Sequence, residues 1–313
     1  MKASVIIPCH PRNRPTLPRA RKSVEDAAKG LDAEILVVDD EESRGLSWAR
    51  NEGLRRATGD VVFFVDADDA VRINYLSTLM TALMQTGADF ALSNIASAPL
   101  RRAYDLVGNA AVRTVMLPAF FGLSFDDVRR WNAGGELLAR REQGGVWRCA
   151  FRRDFLERHA IRFDEALRLY EDAPFIAECA GRAGRVASVP DVLYDYVPGE
   201  RGILATTLGT DRYYSYKFDA LRNRREIAAR IGGDAMRYFE ASAVFCAGAP
   251  EGAARLPPLR GRFVRRAGPR ARPAFAPPPA LRRRRRRLPR LSAVLRVERA
   301  DATFLPSIHI FAV

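Results

Sequence analysis

The sequence predicts a layered α/β domain wound around a parallel sheet, and three observations carry that expectation. Short apolar runs alternate with helical periods through the first hundred residues. Two of those runs end abruptly in carboxylates. The chain has 313 residues, 48% of them hydrophobic, which is enough to bury a sizeable core.

The elements follow in order. Ser4 to Ile7 and Glu34 to Val38 are short, rich in Val and Ile and closed by turn residues, so they read as buried strands. Between them Leu17, Ala20, Val24 and Ala27 recur every three or four residues and share one helix face. Val61 to Val65 reads as a third strand, Leu76, Leu79, Met80 and Leu83 mark a helix, and Phe90 to Ser93 reads as another strand. Parallel β-α-β winding is expected from this alternation. Residues 100–150 show no clear period. Order returns with a strand from Val146 through Phe151, a helix around Asp154 to His159, a helix after Asp172, and strands near Val186 to Val189 and Val192 to Val197. A helical stretch covers 211–247. The expected organisation is a domain over 1–200, a helical extension over 201–250, and an Arg/Pro-rich, poorly ordered tail over 251–313.

The formal charge of +14 belongs almost wholly to that tail. Residues 251–313 hold 16 arginines against Glu251, Glu298 and Asp301, a net of +13, so the first 250 residues carry about +1. No specific nucleic-acid partner is therefore expected of the domain. The tail itself fits either a docking arm for an anionic membrane or a shifted reading frame in GC-rich DNA. Cys9, Cys149, Cys179 and Cys246 are scattered, which suggests neither a zinc site nor a disulfide framework. With no signal peptide or 20-residue apolar span in view, a cytoplasmic protein is expected, peripheral at the inner face of the membrane if the tail docks.

Chemistry concentrates at strand ends. In Val61-Val62-Phe63-Phe64-Val65-Asp66-Ala67-Asp68-Asp69 an apolar strand delivers carboxylates at its C-terminal end, where residues two apart share a face. Asp66 and Asp68 in one crevice suit a hard divalent cation that can bridge nucleotide phosphates; the alternative is a turn in which Asp68 or Asp69 caps the next helix. Ile35-Leu36-Val37-Val38-Asp39-Asp40 would open a second pair of carboxylates into the same crevice, within reach of a nucleobase or ribose.

These segments, in this order, together with Ser4-Val5-Ile6-Ile7-Pro8, Gly45-Leu46-Ser47-Trp48-Ala49-Arg50-Asn51-Glu52-Gly53 and Ala57-Thr58-Gly59-Asp60, resemble the family 2 glycosyltransferases of GT-A fold. The resemblance continues in Val146-Trp147-Arg148, Tyr170-Glu171-Asp172-Ala173-Pro174-Phe175 and Val192-Leu193-Tyr194-Asp195-Tyr196. It implies a GT-A-like, Rossmann-type sheet with flanking helices, and inverting transfer of a sugar from a nucleotide diphosphate, commonly a uridine one, to a glycan or lipid-linked acceptor. It further implies Mn²⁺ or Mg²⁺ as cofactor at Asp66 and Asp68, a donor site at Pro8, Asp39, Asp40 and Asp66, and Asp172 as the general base. Glu171, Trp147 and Arg148 would lie on the acceptor side. Asp172 also suits a helix N-cap, and Trp147 a core tryptophan. His10 is a stacking candidate or a loop histidine, Arg44 and Arg50 are phosphate contacts or solvated loop arginines, and Arg201 is the candidate closing cation. Only nine residues separate Asp40 from Arg50, so the helix and strand that the family usually places there are expected to be missing. The rival class is a non-catalytic binder of nucleotide diphosphates whose basic tail docks to membrane or RNA.

Overall fold

A computed structural model of the chain describes residues 1–94, 105–120, 145–197 and, with short gaps, 206–239. The predicted tail, Arg201 and Cys246 lie outside the described residues.

The chain begins β1 (Ala3–Cys9), α1 (Leu17–Ala27), β2 (Ala33–Asp39), α2 (Leu46–Arg56) and β3 (Val61–Phe64). Next come β4 (Ala70–Val71), α3 (Tyr75–Thr86), β5 (Phe90–Asn94), β6 (Asp105–Val107) and α4 (Asn109–Phe120). A 3₁₀ turn at Val146–Arg148 leads into β7 (Cys149–Arg152) and α5 (Arg153–Arg158), followed by α6 (Asp172–Arg182), β8 (Arg185–Val192), β9 (Tyr194–Asp195) and α7 (Asp211–Ile231).

Seven strands form the main sheet in the order β2-β1-β3-β7-β5-β8-β6, and β4 pairs with β9 in a separate ribbon. β1 runs parallel to both β2 and β3, and β5 runs parallel to β8. The parallel winding expected over the first hundred residues is observed for β1, β2 and β3, whereas two strands of the full sheet run the other way. β7 enters antiparallel between β3 and β5, and β6 lies antiparallel on β8. An alternating βα pattern specifies neighbours close in sequence, whereas β7 reaches β3 from far along the chain. Its run Cys149-Ala150-Phe151 is buried and so satisfies the sheet in either direction. The expected strand at 146–148 is instead the 3₁₀ turn, and the expected helical stretch over 211–247 is broken at Gly232, whose φ of 73° ends α7, with Ala235, Met236 and Phe239 helical beyond it and 240–247 outside the described residues.

Every residue of β1 is buried, and the sheet faces divide its side chains in strict alternation. Val5 and Ile7 join Val61, Phe63, Val24, Leu76 and Leu79 in one core, under α1 and α3. Ile6 joins Phe64, Phe151, Phe155, Phe163 and Phe175 in the other, with the buried residues of α2, α6 and α7. There the rings of Phe163 and Phe175 stack at 4.0 Å, and Phe64 meets both edge-on. The expected absence of a helix-strand unit after Asp40 is observed, since residues 40–45 alone join β2 to α2. Both helical layers thereby approach the C-terminal ends of β1, β2 and β3, where the carboxylates gather.

Candidate active site

Asp66 to Asp69 leave the end of β3 with alternating burial. Asp66 and Asp68 are partly exposed, while Ala67 and Asp69 are 1% exposed. The two outward carboxylates are the ones that strand geometry places on one face. None of the three caps the next helix, because Asn74 holds the N-cap position of α3. Asp69 instead anchors the turn. It accepts hydrogen bonds from the Tyr194 hydroxyl (2.8 Å) and the Val197 N–H (2.7 Å), and the Tyr194 oxygen accepts the Asp66 N–H at 3.0 Å. Burial, and then the charge of Asp66, push Asp69 up to about 8. The same two causes raise Asp68. Arg19 donates to the Asp68 main-chain oxygen, and no described lysine or arginine forms an ion pair with the Asp68 carboxylate.

The pair therefore fits a divalent cation on its own chemistry: two hard oxygen donors, mutually repelling and partly desolvated. No cluster of three or more potential ligand side chains occurs among the described residues, so phosphate oxygens and water would complete the shell, in the manner of Mg²⁺ bound by one or two carboxylates.

At β2 the two aspartates part company. Asp40 is buried, and its carboxylate oxygens accept the N–H groups of Arg44 and Gly45, both at 2.7 Å, which folds the turn into α2. Asp39 is exposed beside it, in register with Cys9. Pro8 is buried within β1 opposite Val38. His10 behaves as a loop histidine: its Nδ1 accepts the Arg12 N–H at 3.2 Å and its Nε2 lies 3.0 Å from the Ser43 hydroxyl, tying the first loop to that turn.

Arg50 brings the two halves of the site together. Its side chain is 1% exposed, and Nη2 donates to Asp66 Oδ1 at 2.9 Å. Nη1 donates to Glu171 Oε1 at 2.9 Å and to Asp172 Oδ1 at 2.5 Å. The guanidinium carbon lies 5.2 Å from the centre of the Phe163 ring. One cation thus sits among three carboxylates, and the remaining negative charge is a further reason for a metal ion to settle here. The solvated-loop reading of Arg50 is corrected. Its position on α2 carried the signal, because the buried Ser47, Arg50, Asn51 and Leu54 follow helical spacing, which points Arg50 inward.

Asp172 opens α6 but caps nothing; Glu171 occupies the N-cap position without a side-chain capping bond. The second Asp172 oxygen accepts the Val146 N–H at 3.3 Å, and the carboxyl remains 19% exposed. Burial pushes it up to about 7, against the pull of Arg50. Just before it, Tyr170 adopts a left-handed φ of 66°, a costly conformation for a tyrosine, with its hydroxyl 3.0 Å from that of Tyr213 on α7.

Trp147 is partly buried and stacks on Tyr194 at 4.5 Å, next to the anchored aspartate turn. Arg148 is 2% exposed and donates to the Ser93 carbonyl at 2.8 Å, which gives it a place in the sheet interior. Tyr194 has no role legible in its own motif, because it is the β4–β9 pairing that carries it to the aspartate turn.

Known proteins are similar to this chain in sequence and in fold. Residues 41–105 match the model for glycosyl transferase family 2. That stretch contains Asp66, Asp68 and Arg50, and stops well short of Asp172. The succinoglycan biosynthesis protein ExoO of Rhizobium meliloti is 29% identical over 198 residues, covering 54% of this chain and 53% of that protein. The uncharacterized glycosyltransferase EpsJ of Bacillus subtilis is 31% identical over 194 residues, covering 59% of this chain and 50% of that one. The chain thus spans about half the length of these curated relatives. The solved structure of S. aureus TarS 1-349 in complex with UDP-GlcNAc superposes with a TM-score of 0.53 at 19% identity, over 78% of this chain and 71% of that one, a likeness of fold alone. Residues 41–105 thus resemble family 2 glycosyl transferases, and the mixed α/β sheet with flanking helices is shared with the TarS structure. No helix among the described residues is long and apolar enough to cross a membrane.

Proposed function

We propose that the protein transfers a sugar from a nucleotide diphosphate, a uridine one in the first instance, to a hydroxyl of a glycan or lipid-linked acceptor, with inversion at the anomeric carbon. One observation carries the reading: a single buried guanidinium gathers Asp66 from the end of β3 and Asp172 from the start of α6, so a donor-side and an acceptor-side carboxylate face one crevice. The name of the succinoglycan biosynthesis protein ExoO points to polysaccharide assembly as the setting.

The chemistry asks for two things. The acceptor oxygen must lose its proton as it attacks, and the diphosphate must leave with its charge stabilised on the opposite side of the sugar. Asp172 is suited to the first. It keeps an oxygen accessible, and a carboxyl raised to near neutrality is a stronger base than an ordinary one at the pH where it is still ionised. Its proton comes from the acceptor hydroxyl; the new bond forms from that oxygen to the anomeric carbon while the bond from that carbon to the phosphate oxygen breaks, so the attack from one face inverts the centre. Asp66 and Asp68 would hold Mn²⁺ or Mg²⁺, which supplies charge to the departing diphosphate. Asp39, exposed at the end of β2, and Pro8, buried beside it in β1, would border the nucleoside at the C-terminal edge of the parallel strands.

The test needs no acceptor. UDP-glucose, UDP-galactose and UDP-N-acetylglucosamine are incubated in turn with the protein and Mn²⁺ or Mg²⁺, and release of UDP is followed. Slow release with at least one donor, abolished by EDTA and restored by adding metal, is the expected result. Binding of UDP and metal with no release from any donor, nor from a wider panel of nucleotide sugars, would leave a nucleotide-binding protein without catalysis.

A further inference from the structure

We infer that Arg50 is a positioning residue that sets the place of Asp172 relative to the donor-side carboxylate Asp66, so that base and leaving group lie on opposite sides of the reacting carbon. The inference rests on the proposed role of Asp172 and adds to it a reason why the base stands where it does.

Three features of the structure lead to this role. The bonds are divided between the two terminal nitrogens: Nη2 serves Asp66, while Nη1 serves Glu171 and Asp172. A planar guanidinium fixes the angle between those two directions, which a tetrahedral ammonium on a shorter stem cannot do. The side chain is also immobilised, being 1% exposed on a helix whose neighbouring Asn51 is itself clamped. Asn51 Nδ2 donates to the Phe163 carbonyl at 2.9 Å, and its Oδ1 accepts the Phe163 N–H at 3.0 Å. Arg50 therefore cannot follow a wandering carboxylate. Finally, the partners come from distant parts of the chain: Asp66 follows β3, and Asp172 begins a helix that follows a left-handed Tyr170. The main-chain bond from Val146 to Asp172 is long, at 3.3 Å, so the guanidinium is its main tether.

The charge arrangement favours a fixed frame over a simple ion pair. Glu171 is 7% exposed and lends a second carboxylate to Nη1, which keeps the guanidinium from swinging entirely onto Asp172. Asp172 then retains an accessible oxygen for the acceptor proton. Positioning of this kind acts on turnover more than on donor affinity, because it matters in the transition state and little in the ground state.

The experiment is a double-mutant cycle on the full chain, with Arg50→Lys, Asp172→Asn and their combination, read as UDP release from whichever of the three UDP-sugars is turned over, and as calorimetric affinity for UDP with Mn²⁺. Arg50→Lys is expected to lower kcat about tenfold or more while the affinity changes less than about threefold, and to cost little further once Asp172 is Asn, since residues acting through one another are not additive. Independent, multiplying losses would overturn the inference, as would an affinity loss as large as the loss of kcat, which would make Arg50 a donor-binding residue. An unchanged kcat in Asp172→Asn alone would sink the base assignment instead, whatever Arg50 does. Should Arg50→Lys not fold, Asp172→Glu answers the same question. Its extra methylene moves the carboxylate off the Nη1 direction, so kcat should fall nearly as far as in Asp172→Asn; a near-parental rate would show that no fixed position is required.

Discussion

Asp172 combines burial with a remaining route to solvent, and both bear on what its replacement would do. Asp172→Asn should preserve donor affinity and lower turnover about 100-fold or more, the usual loss on removing a general base. Titration offers a second check on the same residue. Burial raises the carboxyl from its ordinary 3.8 to about 7, so it is protonated and useless as a base at low pH and becomes competent as pH rises through that window. UDP release should therefore climb as pH rises through about 7 and level off roughly one unit above it, and the Asn variant should lack that limb. For Asp68 the expectation is reversed. Asp68→Asn keeps the shape and one oxygen but not the charge that holds a divalent ion against water. Calorimetry with UDP and Mn²⁺ should show binding weakened about tenfold or more, with the protein's melting temperature little changed; equal affinity would remove Asp68 from the metal site.

The elements nearest the site are packed so closely that small changes will be felt. Gly53 on α2 lies against β1, where an added Cβ would stand 2.3 Å from Ile6 Cγ2 and 2.9 Å from Cγ1. Ile6 is β-branched and fully buried, so it has nowhere to turn. The helix gain of alanine over glycine is at most about 1 kcal/mol, whereas overpacking costs about 1–3 kcal/mol. Gly53→Ala should thus lower stability in urea unfolding despite its better propensity, and because Arg50 rides on the same helix, UDP release should fall with it. A stabilised variant would show that α2 can move away from the sheet. The Ser47, Arg50, Asn51 and Leu54 spacing that drives this packing is plain in the sequence, yet an arginine in that stripe reads as an error until the carboxylates opposite it are known.

At the scale of the molecule, every residue given a role lies before residue 198, and the charge shifts abruptly from about +1 over the first 250 residues to +13 over the last 63. Cutting the chain near Pro250 is expected to leave UDP release intact. If the removed segment is a membrane arm, the full-length chain alone should bind anionic vesicles, and salt should weaken that binding. Loss of UDP release on truncation would tie the segment to the catalytic domain.

The sequence by itself determined the strands at Ser4, Glu34, Val61 and Phe90, the burial of the α1 and α3 faces, and the carboxylates waiting at the ends of β2 and β3. Each of these is a local pattern: a period of two or 3.6, a β-branched run, a turn residue. It also held the resemblance that singled out Asp66, Asp68 and Asp172. Tertiary structure alone decided which of the acidic residues hold a turn together and which face the crevice. Asp40 and Asp69 have the same side chain as Asp66 and Asp68, but their oxygens are already bound to the main chain of a turn and, for Asp69, to Tyr194 as well. The antiparallel entry of β7, the pairing of β4 with β9 and the gathering of three carboxylates on Arg50 were likewise out of reach of a local reading. Their partners are more than a hundred positions apart for Asp66 to Tyr194 and Arg50 to Asp172, and nothing local ties such residues together. Contacts of that kind are fixed by how the helices and strands pack, because a buried charge has to find its counter-charge wherever the fold brings one near.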